Sequence, residues 1–231
     1  MSNLRRVPLT DEPVVFVPSR DAAKGGAKCP FCPGNETQTR AEVAAFRDGG
    51  DAGDSHWRVR AFANISPIVE APHGAHEVIV DDRRHDVVIS SESLQMYRDR
   101  FSYHEQQQSV NAIALFKNVG SVAGASIEHP HAQLVALGET PPRLRRMWAN
   151  AWAHHRDSHE CYWCALLDGE KIYSNGTFSI VRSPVPRFAG EMLVIPKRHQ
   201  PTFADLSAHD ASTSRPALVA EDEDSGRRLV M

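Results

Sequence analysis

The sequence predicts an α+β fold made of two similar strand-rich halves, the second of which is incomplete. Short apolar runs bounded by turn residues alternate with longer segments of helical periodicity. The same order of features occurs twice along the chain, and its second occurrence stops before the order is complete. We expect a first half over residues 1–140, an incomplete second half over 141–211 and an unordered tail over 212–231.

The first half contains strand candidates and one helix. Ser90 is suited to accept backbone amides at the start of a helix, and Leu94, Tyr97 and Phe101 follow at helical spacing. Apolar runs of strand length precede and follow this helix. The predicted strands are 13–17, 56–64, 74–81, 111–116 and 133–137.

A second helix is predicted from the prolines at 141 and 142 to His155. Its apolar side chains recur along one stripe, so we expect them to lie in the core rather than to stack on nucleotide bases. They are Leu144, Met147, Trp148 and Trp152.

An internal repeat supports the two-half organisation. Each half has a pair of cysteines, a strand, a strand led by glycine and then a histidine. The first set is Cys29, Cys32, 56–64, Gly74 and His85. The second set is Cys161, Cys164, 177–182, Gly190 and His199. Counterparts of the strands at 111–116 and 129–137 are missing from the second half.

The four cysteines form two CxxC pairs, which favour metal binding in a reducing compartment. The proline- and glycine-rich surroundings of the first pair are typical of a zinc knuckle and differ from a thioredoxin-like helix start. His85 and His129 follow the first pair, and His199 follows the second. For the fourth ligand of the second site the candidates stay open: His154, His155, His159 and His209.

Composition excludes several classes of function. The net charge of −3, with no long basic stripe, gives no electrostatic case for nucleic acid. The amino terminus has no apolar signal region, and no apolar run approaches the length of a membrane span. We therefore expect a cytoplasmic protein that binds neither nucleic acid nor membrane.

The segment His129-Pro130-His131-Ala132-Gln133 carries the chemistry. On a strand its two imidazoles and its amide turn to one face and can meet one ligand. A neutral imidazole is a competent nucleophile toward phosphorus, and the small-residue loop at 117–126 is suited to hold a phosphate. The alternative is two surface histidines at the end of a strand.

These motifs resemble the galactose-1-phosphate uridylyltransferase family of the histidine triad superfamily, over residues 8–207. The resemblance implies two histidine-triad-like halves, each an antiparallel sheet with helices. It implies that His131 attacks the α-phosphorus of UDP-glucose and that Gln133 hydrogen-bonds the uridylyl intermediate, which galactose 1-phosphate then accepts. It also implies a structural Zn²⁺ site with the ligands Cys29, Cys32, His85 and His129.

The resemblance extends to substrate-binding positions. It places Asn64 near the uridine, Asn118 and Ser126 around the phosphates, and Arg20 at a substrate reached across a dimer. The second cluster resembles the second metal site of the ADP-glucose phosphorylase branch. Its residues are Cys161, Cys164 and His199.

Three functions follow from the sequence. The first is uridylyl transfer from UDP-glucose, the second is adenylyl transfer from ADP-glucose to phosphate, and the third is a zinc-stabilised nucleotide-binding module without turnover. Because strands of the second half are missing, we expect the chain alone to be inactive or marginally stable. We expect it to form a dimer or to associate with a chain that supplies those strands.

Overall fold

The protein is described from a computed structural model, which covers residues 3–8, 12–16, 28–87, 89–207, 210 and 227–230. The chain divides into two compact units. The first consists of Met1–Thr140 with Gly226–Met231, and the second is Pro141–Ser225. No helix among the described residues is both long and apolar enough to cross a membrane.

The first unit contains a six-stranded sheet in which every described strand pair is antiparallel. The spatial order of its strands is β11, β6, β7, β5, β4 and β3. Their bounds are β3 Glu42–Arg47, β4 Trp57–Ala63, β5 Gly74–Val80, β6 Ala112–Val119, β7 His131–Leu137 and β11 Arg227–Val230. A separate antiparallel pair is formed by β1 Asn3–Arg6 and β2 Pro13–Phe16. The predicted α+β fold with antiparallel sheets is confirmed.

One helix, α1, Ser91–Glu105, packs against the sheet. Ser90 caps it by accepting a hydrogen bond from the Ser93 amide, as the sequence predicts. The helix is tied to β5 by an ion pair from Arg100 and a hydrogen bond from His104 to the buried carboxylate of Glu77. One face of the sheet is thereby covered by α1.

Alternate residues of β5 point away from Glu77, and they pack in a separate apolar cluster. Val78 and Val80 lie in this cluster with Phe62 of β4 and with Phe31 from the first CxxC segment. Because side chains alternate along a strand, the residues that share this face with Val78 include Gln133 and His131 across the ladder. The CxxC segment therefore packs on the sheet face that carries His131 and Gln133 of β7, opposite α1.

The end of the chain differs from the sequence prediction. No strand is expected in the tail at 212–231, yet Arg227–Val230 form β11 and pair antiparallel with β6. The physical reason is that an open sheet edge presents unpaired backbone donors and acceptors, which an extended segment of any composition can satisfy. Apart from β11, the predicted tail lies outside the described residues.

The described residues of the second unit include a three-stranded antiparallel sheet and the α-helices α2 and α3. In the sheet, β9, Phe178–Arg182, lies between β8, Lys171–Ser174, and β10, Met192–Pro196. The helices are α2, Pro142–Ser158, and α3, Tyr162–Ala165.

The predicted burial of α2 is wrong. The helix forms where the sequence predicts it, but none of its residues is buried. Met147, Trp148 and Trp152 are 41%, 50% and 69% exposed. An apolar stripe shows which side of a helix avoids water, but whether that side is covered depends on elements distant in the sequence.

Candidate catalytic and metal sites

Four predicted ligands meet in the first unit. The ligand atoms of Cys29, Cys32, His85 and His129 all lie within 4.8 Å of one another. Cys32 Sγ is 3.1 Å from His85 Nε2 and 3.8 Å from His129 Nδ1, and Cys29 Sγ is 3.7 Å from the same Nδ1. A tetrahedral zinc ion with bonds of about 2.0–2.3 Å sets its ligand atoms about 3.5 Å apart. The four residues therefore fit a closed zinc site.

The surroundings of the cluster orient its ligands. His129 is fully buried, and its Nε2–H donates to the Asp82 carbonyl at 2.7 Å, which leaves Nδ1 for the cluster. The Asn35 side chain donates to the Cys29 carbonyl at 2.8 Å and holds the CxxC turn. Burial raises the pKa of the Cys32 thiol, and neighbouring Cys29 adds to this effect. Binding of a cation would offset both effects, because it favours the thiolate.

His131 begins β7 and is 7% exposed. Its Nδ1 lies 2.9 Å from the His129 carbonyl oxygen. A carbonyl only accepts, so Nδ1 carries the proton and Nε2 is the nitrogen with the free lone pair. Burial lowers the pKa of His131, and the nearby charge of Lys117 lowers it further. The ring is therefore neutral at neutral pH, as a nucleophile must be.

A polar cluster behind β7 determines the position of the Lys117 charge near His131. Lys117 of β6 forms a buried ion pair with Asp81, which also accepts a hydrogen bond from Tyr97 of α1. The Asp81 amide donates to the carbonyl of Pro130 at 3.2 Å, between the two histidines of the motif. The segment after β5 thus holds the motif at two points, His129 through the Asp82 carbonyl and Pro130 through the Asp81 amide.

A further aromatic contact joins the metal cluster to the candidate nucleophile. The ring of Phe31, between the two cysteines, lies edge-on to that of His131 with centroids 5.1 Å apart. The same ring contacts His129 at 6.3 Å. Folding of the CxxC turn around an ion would therefore also hold the Phe31 ring in place against His131.

Gln133 is held by a residue that the sequence analysis did not single out. Its Oε1 lies 3.0 Å from Nε2 of His76, which is 3% exposed on β5. The same Nε2 lies 3.2 Å from Nδ2 of Asn64, so the structure brings Asn64 and Gln133 to one imidazole. The signal in the sequence is a histidine at a position that shares its strand face with the apolar residues Val78 and Val80. By itself that pattern is also typical of a core histidine.

The other predicted substrate-binding residues have different placements. Asn118 follows Lys117, whose ladder partner is Ala132, so it falls level with His131 on the same face of the sheet. Ser126 lies exposed in the loop before the motif. The prediction for Arg20 lies outside the described residues.

The second cluster contains three predicted ligands in the second unit. The ligand atoms of Cys161, Cys164 and His199 lie within 4.8 Å of one another, and Cys164 Sγ is 3.2 Å from His199 Nδ1. Among the described residues the cluster has no fourth member. His154, His155 and His159 are therefore not part of it, and His209 lies outside the described residues.

Comparisons with known proteins agree with this arrangement. No protein-family profile matches the chain. It is 26% identical over 242 residues to ADP-glucose phosphorylase from Arabidopsis thaliana, covering 88% of this chain and 68% of that protein. It is 26% identical over 230 residues to galactose-1-phosphate uridylyltransferase from Thermotoga maritima, covering 91% and 71%.

A solved structure gives the same result in three dimensions. The crystal structure of Arabidopsis thaliana ADP-glucose phosphorylase with bound ADP-glucose matches with a TM-score of 0.75 at 26% identity. The match covers 94% of this chain and 75% of that one. The fold and these matches together define an α+β protein with the fold of structures like galactose-1-phosphate uridylyltransferase. The chain is similar to members of the galactose-1-phosphate uridylyltransferase family, which confirms the resemblance predicted from its motifs.

Proposed function

We propose that the chain is a nucleotidyltransferase that accepts a nucleoside monophosphate from a nucleoside diphosphate glucose onto His131. The observation that carries the proposal is the 2.9 Å hydrogen bond from His131 Nδ1 to the His129 carbonyl. It leaves the Nε2 lone pair as the nucleophile, next to an amide on the same strand face. Such an arrangement suits phosphoryl transfer, in which positioning supplies much of the rate.

The proposed reaction has two balanced halves. The Nε2 lone pair attacks the α-phosphorus, the bond to the bridging oxygen breaks, and glucose 1-phosphate leaves with that electron pair. In the second half, an oxygen of the acceptor phosphate attacks the same phosphorus and the P–N bond breaks, which returns the lone pair to Nε2. Gln133 donates to the phosphoryl oxygens, and we place Asn118 and Ser126 around the phosphates and Asn64 near the nucleoside.

The first metal cluster has a structural role in this proposal. A zinc ion bound by Cys29, Cys32, His85 and His129 supplies a rigid cross-link and leaves no open position for substrate. His129 then holds the chain just before β7, two residues from His131. Phe31 packs against one side of the His131 ring. The chemistry belongs to the imidazole, and the ion holds it in place.

The donor and acceptor define two candidate reactions. Uridylyl transfer from UDP-glucose to galactose 1-phosphate follows the motif and the Thermotoga maritima relative. Adenylyl transfer from ADP-glucose to phosphate is favoured by the Arabidopsis thaliana relative and by the second cluster of two cysteines and a histidine.

Intact-mass spectrometry after incubation with UDP-glucose or ADP-glucose tests the proposal. The mass is recorded at neutral or alkaline pH, because a phosphorus–nitrogen bond on histidine is labile in acid. A uridylyl increment supports the first reaction, and an adenylyl increment supports the second. The His131→Ala variant must gain neither, whereas His73→Ala, which removes an exposed histidine, is expected to label like the wild type.

Two outcomes would contradict the proposal. If neither donor labels the wild-type chain, the chain is a nucleotide-binding module without turnover. If His131→Ala is labelled as well as the wild type, another residue carries the nucleotide.

A further inference from the structure

A buried histidine, His76, contacts Gln133 from the interior side of the candidate site. His76 lies on β5 opposite Val135 of β7, two residues along the ladder from the partner of Gln133. Both side chains are on the sheet face that carries His131, and that of His76 is buried. The proposed reaction gives His76 no contact with the substrate.

The backbone determines which nitrogen of His76 carries the proton. The amide of Ile68 donates to His76 Nδ1 at 3.0 Å. A backbone N–H can only donate, so Nδ1 is the acceptor, and in the neutral ring the proton is on Nε2. His76 therefore presents a donor toward β7.

The proton on Nε2 in turn determines the orientation of Gln133. Its Oε1 lies 3.0 Å from Nε2 and accepts this proton. Asn64 presents its Nδ2, not its oxygen, to this nitrogen at 3.2 Å, because its Oδ1 is turned to the Ser66 amide at 2.8 Å. Gln133 Oε1 is therefore the acceptor at His76 Nε2. The oxygen of the Gln133 amide is thus used internally, and its NH₂ group remains for the ligand.

We propose that His76 is a positioning residue that holds the Gln133 amide with its NH₂ group toward the phosphoryl oxygens on His131. This inference rests on the proposed nucleotidyl transfer. The chain of donors runs from the Ile68 amide through His76 and Gln133 to the phosphate. Without His76, the amide is free to rotate and to present its oxygen, which repels a phosphoryl group.

Rates of adduct formation in variants test the proposal. His76→Phe keeps the ring volume but removes both nitrogens, and we expect it to slow labelling of His131 on the order of 100-fold. His76→Gln places an amide N–H near the position of Nε2, and we expect it to restore labelling to within about tenfold of the wild type. His104→Phe is the matched control, because it removes another buried histidine that bonds Glu77 on the opposite face. It should leave the rate per folded chain unchanged.

A double-mutant cycle separates positioning from mere packing. If His76 acts through Gln133, His76→Phe costs little further rate in a Gln133→Ala background. If the same loss appears in both backgrounds, or if His76→Phe labels at the wild-type rate, the proposal is wrong. A wild-type chain that accepts no nucleotide would instead contradict the proposed function.

A measurement on the unmodified protein keeps the proposal testable even if His76→Phe fails to fold. Long-range ¹H–¹⁵N correlation spectra distinguish the two neutral tautomers of histidine. We expect His76 to carry its proton on Nε2. A proton on Nδ1 would remove the donor to Gln133 and overturn the inference.

Discussion

The role that we propose for His131 depends on a single backbone oxygen. The carbonyl of His129 accepts a hydrogen bond from Nδ1 of His131, so the lone pair is on Nε2. Burial together with the charge of Lys117 lowers the pKa of His131, which favours the neutral ring that the proposal needs. The sequence predicts the residue, because two imidazoles and an amide at alternate positions suit one ligand. It cannot predict the tautomer, because this depends on where the preceding carbonyl points.

The candidate metal cluster was also predictable, because residue type and spacing are typical of zinc ligands. All four first-site ligands meet as the sequence predicts. His76 was not predicted, because a single histidine on an apolar strand face has no distinctive spacing. Its partners Ile68 and Gln133 come from a loop and from a strand that neighbours β5 only in the folded chain.

Replacing one ligand in each cluster separates the roles of the two metal sites. We expect Cys32→Ser to lose the first-site zinc and most of the His131 labelling, because the ion that holds His129 in place loses one of its four ligands. Cys164→Ser is the matched control and should label normally. Elemental analysis after dialysis measures the metal. Full zinc content in Cys32→Ser, or equal labelling loss in both variants, would contradict this assignment.

At the scale of elements, α1 and α2 differ in how they are held. The helix α1 is tied to β5 by the buried Glu77, whereas α2 leaves its aromatic residues exposed. Both helices were predicted from periodicity and caps, which are local properties. Burial was predicted correctly only for α1, because no local feature shows whether another element covers an apolar stripe.

Glu77 makes the attachment of α1 dependent on pH. Burial would raise its pKa, but hydrogen bonds from His104 and Arg100 outweigh burial and lower it below 4.5. A carboxyl with a lowered folded pKa stabilises the fold above its unfolded pKa, and this contribution is lost as the pH falls through the folded pKa. We expect Glu77→Gln to cost on the order of 3 kcal/mol of unfolding free energy at neutral pH, because Arg100 stays buried without its carboxylate.

Urea unfolding at several pH values checks this prediction. The stability of Glu77→Gln should fall less steeply than that of the wild type below about pH 4.5. Glu92→Gln, which breaks the more exposed pair with Arg58, should change stability by less than about 1 kcal/mol. An acid slope in Glu77→Gln equal to that of the wild type would assign the pH dependence to other groups.

The exposure of α2 predicts tolerance to substitution. Trp152→Gln should change the unfolding free energy by about 0.5 kcal/mol or less, because this side chain is 69% exposed. Leu134→Ala, in the middle of β7 with no exposed surface, should cost about 2–5 kcal/mol. Urea unfolding measures both. A loss above about 2 kcal/mol for Trp152→Gln would show that this face is covered in solution.

At the scale of the whole molecule, the two units differ in how completely they bury their sheets. In the first, β5 and β7 are paired on both sides and carry fully buried side chains. In the second, every residue of β8 is exposed, and α2 buries none. The repeat in the sequence predicts this inequality, because it leads us to expect no counterparts of β6 and β7 in the second half.

Hydrogen exchange should record this difference. We expect the amides of β5 and β7 to exchange slowest and those of β8 to exchange much faster, because local opening follows exposure and pairing. Mass spectrometry of peptides from the native chain provides the measurement. Equal protection of β8 and β7 would mean that the second unit is completed by contacts beyond those described.

We propose that one neutral imidazole, held by an adjacent metal cluster, carries a nucleotide covalently. The most direct test of this proposal is to locate the label by fragmentation of peptides prepared at alkaline pH after incubation with UDP-glucose or ADP-glucose. We predict a nucleotidyl group on His131 and on no other residue. A label on a different side chain, or no label with either donor, would contradict the account.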